Sequence, residues 1–282
     1  VLDCGNGTAS LSTPKVLRGL GIELTELYCD SDGTFPNHHP DPTQVDAMQE
    51  LIAKVKETKA DAGIGIDGDG DRIGVVDDKG NLIWGDMLMV LFARELLSKK
   101  KGAKIFMEIK CSQALWDEIL LNGGKPIMSP TGHSIIENKM HEEKAELAGE
   151  MSGHIYFADE YYGFDDATYA AARLLRLLSN SGETISEMLS TVPKYYSTPE
   201  IRVDCPDVKK DFVVSAIVKK FKKLYPESIT IDGIRVVFDD GWGLVRKSNT
   251  QPKLILRFEA KTPERLEEIR SIVEPEVMRL LQ

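Results

Sequence analysis

Cysteine is scarce in this chain: four in 282 residues, at positions 4, 29, 111 and 205, with no Cys-x-x-Cys spacing. That excludes a disulfide-stapled secreted scaffold and a thiolate zinc centre, and it reads as reduced, mostly buried thiols of a cytoplasmic protein. Excess positive charge is also missing. The 35 Lys and Arg against 45 Asp and Glu leave a net charge of −10, the wrong sign for nucleic acid or an anionic membrane as the main partner. No apolar run approaches the roughly 20 residues of a helical membrane span, and no signal-peptide pattern is present. An initiating Met is absent too. The chain opens Val1-Leu-Asp-Cys-Gly, already inside a strand pattern, and reads as a truncation.

What is present is ordinary for a folded protein. With 42% hydrophobic and 28% charged residues the chain is too apolar for disorder, and its length allows two or three domains. Short apolar runs alternate with amphipathic stretches, the pattern of α/β units on mixed or parallel sheets. Strands are expected at 1–4, 24–28 and 62–66, helices at 13–20 and 45–58, the latter with Val45, Met48, Leu51, Ile52 and Val55 on one face. A hairpin is expected over 73–77 and 81–84, then an apolar helix over 87–97 that ends in Lys99-Lys-Lys-Gly102, a first boundary. A second unit follows with strands at 104–109, 126–128 and 155–158 and helices at 113–121 and 167–178. Residues 192–199 read as a linker. The last block has strands at 200–203, 229–231, 236–238 and 254–260 and helices at 211–224 and 263–281, so it is α+β.

Three strings carry chemistry. In Asp67-Gly-Asp-Gly-Asp-Arg72, three carboxylates alternate with glycines, which let the backbone fold tightly enough for the acids to converge. Such convergence is repulsive unless a hard cation, here Mg²⁺, resolves it. A solvated acidic turn is the bland alternative, but the loop ends a buried-looking strand. An EF-hand fails because its sixth and twelfth positions would be Arg72 and Asp78. A dinucleotide fingerprint at Gly63-x-Gly65-x-x-Gly68 and a dehalogenase-type phosphatase both need a helix after the loop, where a hairpin is expected. In Gly149-Glu-Met-Ser-Gly-His154, Glu150 and Ser152 suit adjacent sugar hydroxyls, or an ordinary capped turn. Arg246-Lys-Ser-Asn-Thr250 offers a guanidinium, hydroxyls, an amide and backbone N–H groups to a phosphate dianion, or is merely a polar loop. Arg257 on the next strand adds a second guanidinium.

Weaker signals surround these. Lys110 and His133, within Thr131-Gly-His-Ser134, are isolated polar residues, and a lone histidine is as often structural as catalytic. His38 and His39 sit in a proline-rich turn and point apart, so a rigid loop is expected rather than a metal pair. Asn6-Gly7-Thr8 fits a glycosylation pattern that a cytoplasmic chain never uses.

Taken together and in order, these strings resemble the α-D-phosphohexomutases, specifically the bacterial phosphomannomutase/phosphoglucomutase group. The resemblance runs from Asp3-Cys-Gly-Asn-Gly7 and Phe35-Pro-Asn-His-His-Pro-Asp-Pro42 through the acidic loop, Thr131–Ser134 and Gly149–His154. It continues through Gly163-Phe-Asp-Asp166, Gly241–Thr250 and Arg257-Phe-Glu259, essentially the whole chain. It implies a four-domain enzyme of which this chain holds the second domain (1–101), the third (102–195) and a TATA-box-binding-protein-like fourth (196–282). The implied fold is two α/β domains with mixed sheets and one α+β domain.

The implied roles are Mg²⁺ ligation by Asp67, Asp69 and Asp71, sugar reading by Glu150 and Ser152, and a phosphate grip by Arg246, Ser248, Asn249, Thr250 and Arg257. Arg72, Lys110 and His133 fall on further catalytic positions. Met151 favours the glucose/mannose type over the phosphoglucosamine type. The implied reaction interconverts hexose 1- and 6-phosphates, of glucose or mannose, through a bisphosphate such as glucose 1,6-bisphosphate, in a cytoplasmic monomer. The family's phosphoserine, which belongs to its first domain, has no counterpart in this sequence, so a missing N-terminal domain becomes a required partner and the chain alone is expected to be inactive. A non-catalytic sugar-phosphate binder and a metal-dependent phosphatase using Asp69 are the competing readings.

Overall fold

In the computed structural model, which describes residues 1–281, the opening apolar run forms β1 (Leu2–Asp3). After a 3-10 turn at Thr8–Leu11 comes α1 (Thr13–Gly19), with Pro14 in its first turn, where a missing N–H costs nothing. β2 (Glu26–Leu27) runs parallel to β1. The helix expected over 45–58 starts as a 3-10 turn, Val45–Met48, before becoming α2 (Gln49–Thr58). Met48, Leu51 and Val55 are buried as expected, whereas Val45 is half exposed, because the tighter winding carries it off the apolar stripe. β3 (Gly63–Ile66), β4 (Ile73–Val76) and β5 (Leu82–Ile83) complete a mixed sheet in the order β2-β1-β3-β4-β5, with β1 and β3 parallel and β3-β4-β5 antiparallel.

α3 (Gly85–Lys99) explains why one compact unit holds two sheets. Leu88 to Ala93, Leu96 and Leu97 are all buried, so the helix is apolar all round and needs cover on every side. It packs on β4 and on β8 (Leu147–Gly149). The second sheet is built from β6 (Lys104–Glu108), β7 (Lys125–Ser129), β8 and β9 (Ile155–Phe157) in the order β7-β6-β8-β9, β6 and β8 being parallel. Helices α4 (Gln113–Leu121), α5 (His133–Glu143), α6 (Ala167–Ser181) and α7 (Ile185–Leu189) accompany it. The sequence reading misses α5, β8 and α7. α5 buries only Ile136 and Met140, too few for a visible stripe, and β8 is the short Leu-Ala-Gly, weak in strand formers.

The other compact unit comprises residues from Pro193 onward with the short segments 112–114 and 129–131. β10 (Tyr196–Ser197), β11 (Ile201–Asp204), β12 (Ile234–Phe238), β13 (Gly241–Lys247) and β14 (Lys253–Ala260) form an antiparallel sheet, order β10-β14-β13-β12, with β11 also on β14. α8 (Asp207–Leu224) and α9 (Pro263–Leu281) cover one face through Val213, Ile217, Phe221, Ile269 and Val273. Three expectations change here. The strand at 229–231 is only an isolated bridge from Ile229 to Arg235, the linker contains β10, and Arg246 and Lys247 of the string read as a polar loop end strand β13.

One buried charge holds the segment after β9 in place. Arg173 on α6, only 3% exposed, meets both oxygens of Asp159 (2.9 and 3.0 Å) and Glu95 Oε2 (3.2 Å), and its guanidinium lies 4.5 Å over the Phe157 ring. Removing it strands the Asp159 carboxylate in a poorly solvated place, while Glu95 keeps Lys99 and Arg176. Arg173→Met is therefore expected to cost about 3–5 kcal/mol in urea unfolding. A loss below about 1 kcal/mol would show that the network contributes little.

Candidate active site

β3 ends at Ile66, and Asp67 turns inward, fully buried. Its Oδ1 accepts the backbone N–H groups of Gly70, Asp71 and Arg72 at 3.0–3.1 Å, and Oδ2 accepts Nε of Arg72 at 2.7 Å. Gly70 closes the turn at φ +87°, a conformation that costs glycine nothing. Burial lifts the Asp67 carboxyl above its usual pKa despite those donors. Asp69 is exposed, and among the described residues it makes no hydrogen bond. Asp71 has a buried Oδ1 without a hydrogen-bond partner, 3.8 Å from Nε of Arg72. One oxygen from each of the three acids falls within 4.8 Å of the others. An orphaned buried carboxylate oxygen, a free acid beside it and an all-oxygen donor set fit a hard divalent cation.

Arg72 leads outward from this loop. Its Nη1 donates to Asp41 Oδ1 (2.9 Å) in the proline-rich segment, and its backbone forms an antiparallel bridge with His154. The N–H of Ile73 donates to the Gly153 carbonyl at 3.1 Å. The acidic loop and the Gly149–His154 loop thus meet backbone to backbone. Gly153 makes this possible: at φ +99° a Cβ there would lie 2.2 Å from the Ile73 oxygen. His38, for its part, is tied to Asp3 Oδ2 (Nε2, 3.1 Å) and to the His39 carbonyl, a loop-holding arrangement.

His154, not assigned from the sequence, sits at the junction. Nδ1 is 2.7 Å from Asp165 Oδ2 and 3.7 Å from Asp71 Oδ2, and the ring stacks on His133 with centroids 5.8 Å apart. Burial alone would lower the His154 pKa. The hydrogen bond to Asp165 and the charges of Glu150 and Asp71 more than reverse this and raise it. Asp165 was legible only as part of the string Gly163–Asp166, since no spacing rule links 154 to 165.

Glu150 is buried in the same loop, its N–H donating to the His154 carbonyl at 2.9 Å. Ser152 Oγ donates to Oε2 at 3.4 Å, while Oε1 is buried without a partner. Burial, and then the nearby Glu108 carboxylate, push this carboxyl up to about 7. Glu108, also missed from the sequence, accepts the Met151 N–H on Oε2 (3.3 Å) and faces Lys110 Nζ with Oε1 (3.2 Å). Lys110 is therefore a buried counter-charge to a pair of acids.

The phosphate-type residues lie in the other unit. Arg246 is on β13, not in a loop, and is buried; Nε donates to Asp232 Oδ2 at 2.7 Å and Nη2 has no partner. Ser248 Oγ accepts the N–H of Gln251 (3.1 Å) and of Thr250 (3.4 Å), leaving Asn249 and Thr250 at the exposed tip. Lys210, on α8, fills the loop from below. Its buried Nζ donates to the carbonyls of Ser248 (2.9 Å) and Gln251 (2.7 Å), a role with no sequence signal. Arg246 pairs across from Ile255, so Arg257, two residues on, shares its sheet face, 5.8 Å from the Trp242 ring centre.

Two outcomes follow for the metal-free chain. Asp67→Ala is expected to lose about 2–4 kcal/mol in urea unfolding, because it strips four donors of their acceptor, whereas Asp69→Ala stays within about 0.5 kcal/mol. Equal losses would mean that Asp67 does not organise the loop. For Glu150, the native state keeps a proton between the ordinary 4.5 and about 7 that the unfolded chain releases. Its contribution to stability is thus full below the lower value and is lost as pH rises through the upper one. Glu150→Gln should gain stability relative to the parent between pH 5 and pH 8, measured as urea midpoints. A pH-independent difference would refute the assignment.

Known proteins resemble this chain in sequence and in fold. The family models for phosphoglucomutase/phosphomannomutase match in order: alpha/beta/alpha domain II over residues 1–80, alpha/beta/alpha domain III over 84–196 and the C-terminal domain over 200–275. The phosphomannomutase/phosphoglucomutase of Pseudomonas syringae pv. tomato is 46% identical over 280 residues, 99% of this chain and 60% of its own length. A phosphoglucomutase of Neisseria meningitidis serogroup A is 46% identical over 272 residues, 96% of this chain and 59% of its own length. The crystal structure of a phosphoglucomutase/phosphomannomutase family protein from Burkholderia thailandensis superposes with a TM-score of 0.91 at 43% identity, covering 99% of this chain and 60% of that one. The chain spans about 60% of the length of these relatives. It belongs to the phosphoglucomutase/phosphomannomutase family, whose domain II, domain III and C-terminal domain it carries in sequence.

Proposed function

We propose that this chain provides the metal-, sugar- and phosphate-binding parts of a phosphomannomutase/phosphoglucomutase, an enzyme that interconverts hexose 1-phosphate and hexose 6-phosphate through a hexose 1,6-bisphosphate. The observation that carries this reading is the junction of the acidic loop with the Gly149–His154 loop through the Arg72–His154 bridge, which sets carboxylates suited to a cation beside a carboxylate and hydroxyl suited to a diol. In this reading the second, third and fourth domains span about 1–101, 102–195 and 196–282. The protein works as a cytoplasmic monomer, in keeping with its four free thiols.

Asp69 and Asp71, with Asp67 behind them, would hold Mg²⁺. Bound there, the ion supplies neutralisation of the charge that develops on a transferring phosphoryl group. Glu150 and Ser152 bind sugar hydroxyls, and the raised pKa of Glu150 lets that carboxyl donate as well as accept. Arg72 contributes fixed positive charge at the same junction. Proton movement at the reacting hydroxyl falls to the stacked His133 and His154, with Lys110 balancing Glu108 and Glu150. Arg246, Ser248, Asn249, Thr250 and Arg257 grip a phosphate. The phosphoryl donor is a phosphoserine on a further domain, within the part of the relatives' length that this chain does not span, and glucose 1,6-bisphosphate serves as activator.

With glucose 1-phosphate, Mg²⁺ and glucose 1,6-bisphosphate, the 282-residue chain is expected to form no glucose 6-phosphate, yet to bind glucose 1-phosphate in calorimetry. Ser152→Ala and Arg257→Met should each weaken that binding roughly tenfold, the effect of about 1.4 kcal/mol. Mg²⁺ should bind weakly, since a hard cation loses affinity with each missing anionic ligand, and Asp69→Ala should abolish it. Measurable turnover would overturn the need for a separate phosphoserine. Release of inorganic phosphate would point to a phosphatase instead.

A further inference from the structure

Cys4 and Cys29, 25 residues apart in sequence, bring their sulfurs to 3.4 Å. Neighbouring parallel strands enforce this proximity: the N–H of Cys4 donates to the Leu27 carbonyl (3.2 Å) and that of Asn6 to the Tyr28 carbonyl (2.8 Å). A disulfide needs about 2.0 Å between sulfurs, so a small side-chain and backbone adjustment separates the present pair from a bond. The two thiols are unequal. Cys4 is fully buried, while Cys29 is partly exposed and also lies 3.3 Å from the Leu27 carbonyl. The close Cys4–Cys29 pairing lowers the pKa of Cys29 and, together with burial, raises that of Cys4. Of the other two cysteines, Cys111 is buried with its sulfur 3.9 Å from the Gly149 carbonyl, and Cys205 is buried 3.7 Å from that of Pro206.

We propose that Cys4 and Cys29 are a reversible dithiol–disulfide pair, a modification site for hydroperoxides at the base of the acidic loop. The Cys29 thiolate attacks the terminal oxygen of hydrogen peroxide, breaks the O–O bond and becomes a sulfenic acid, while the other oxygen takes up the proton that Cys29 released and leaves as water (an organic hydroperoxide would release an alcohol instead). The Cys4 sulfur then attacks the Cys29 sulfur, the S–S bond forms, and the hydroxyl leaves as a second water carrying the Cys4 proton. Two thiols are oxidised and one peroxide is reduced, which balances without a further reagent. The bond closes next to the Gly5–Gly7 turn, whose successor Thr8 donates its N–H to the Gly68 carbonyl of the acidic loop at 2.9 Å. The modification thus lies four residues before a backbone hydrogen bond to the acidic loop.

The test uses the 282-residue chain and hydrogen peroxide, with thiols counted after denaturation and tryptic peptides weighed. Titratable thiols should fall from four to two, and peptides 1–15 and 19–54 should be recovered as one species lighter by two hydrogens. Dithiothreitol should restore both. Cys29→Ser should keep its three thiols under the same treatment, and Cys4→Ser should leave a sulfenic acid on Cys29 that dimedone traps; circular dichroism confirms that each variant is folded. A sulfinic acid on Cys29 with Cys4 still titratable, a link that includes Cys111 or Cys205, or a link between two chains would each overturn the proposal.

Discussion

Everything in the metal-type site depends on one carboxylate that has no room to move. Asp67 gathers three backbone N–H groups on one oxygen and the Arg72 guanidinium on the other. That set of charge-assisted bonds is what bends a hexapeptide into a turn whose three acids bring an oxygen each within 4.8 Å of one another. The same Arg72 reaches Asp41 and bridges to His154, so the turn is stapled to its surroundings by the residue that neutralises it. The three aspartates are consequently unequal partners for a cation. Asp67 is already committed to the fold, Asp69 is uncommitted, and Asp71 keeps one buried oxygen unsatisfied.

A second electrostatic constraint is built into the neighbouring loop. Glu150 and Glu108 are both almost fully buried, with Lys110 as the counter-charge beside them. Two acids and one base in a low-dielectric pocket cannot all be charged at little cost. The structure resolves the conflict by holding a proton on Glu150 into the neutral range. For a group proposed to bind sugar hydroxyls this is useful, because a carboxyl that titrates near neutrality offers both a donor and an acceptor. In the other unit a buried ammonium group has a similar organising role: Lys210 fills the hollow of the Ser248–Gln251 turn and donates to the carbonyls of Ser248 and Gln251.

Much of the fold was legible in the chain. α4 and α9 appear over the expected residues, and so does the hairpin after the acidic loop, which excludes the dinucleotide and dehalogenase readings. Elements with few buried residues were not. α5 shows two buried side chains in eleven positions and β8 is only three residues long. Their existence is dictated by neighbours that supply the cover, and a periodicity argument cannot detect what a distant segment contributes. β13 hid for the opposite reason: its glycines and buried arginine look like a loop until the flanking strands pair with it.

The sequence by itself determined which chemical groups are available and their local grouping, because Asp-Gly alternation, a Glu-x-Ser turn and an Arg-x-Ser-Asn-Thr string are properties of a few consecutive residues. Tertiary structure alone decided their division of labour. It turned Asp67 inward as an organiser and left Asp69 free, paired His154 with Asp165, set Glu108 against Glu150, placed Lys210 beneath the phosphate-type loop and brought Cys4 to Cys29. Each of those facts is a distance between segments far apart in the chain. Burial, and the low dielectric that comes with it, converts that distance into a proton held, a charge neutralised or a bond within reach.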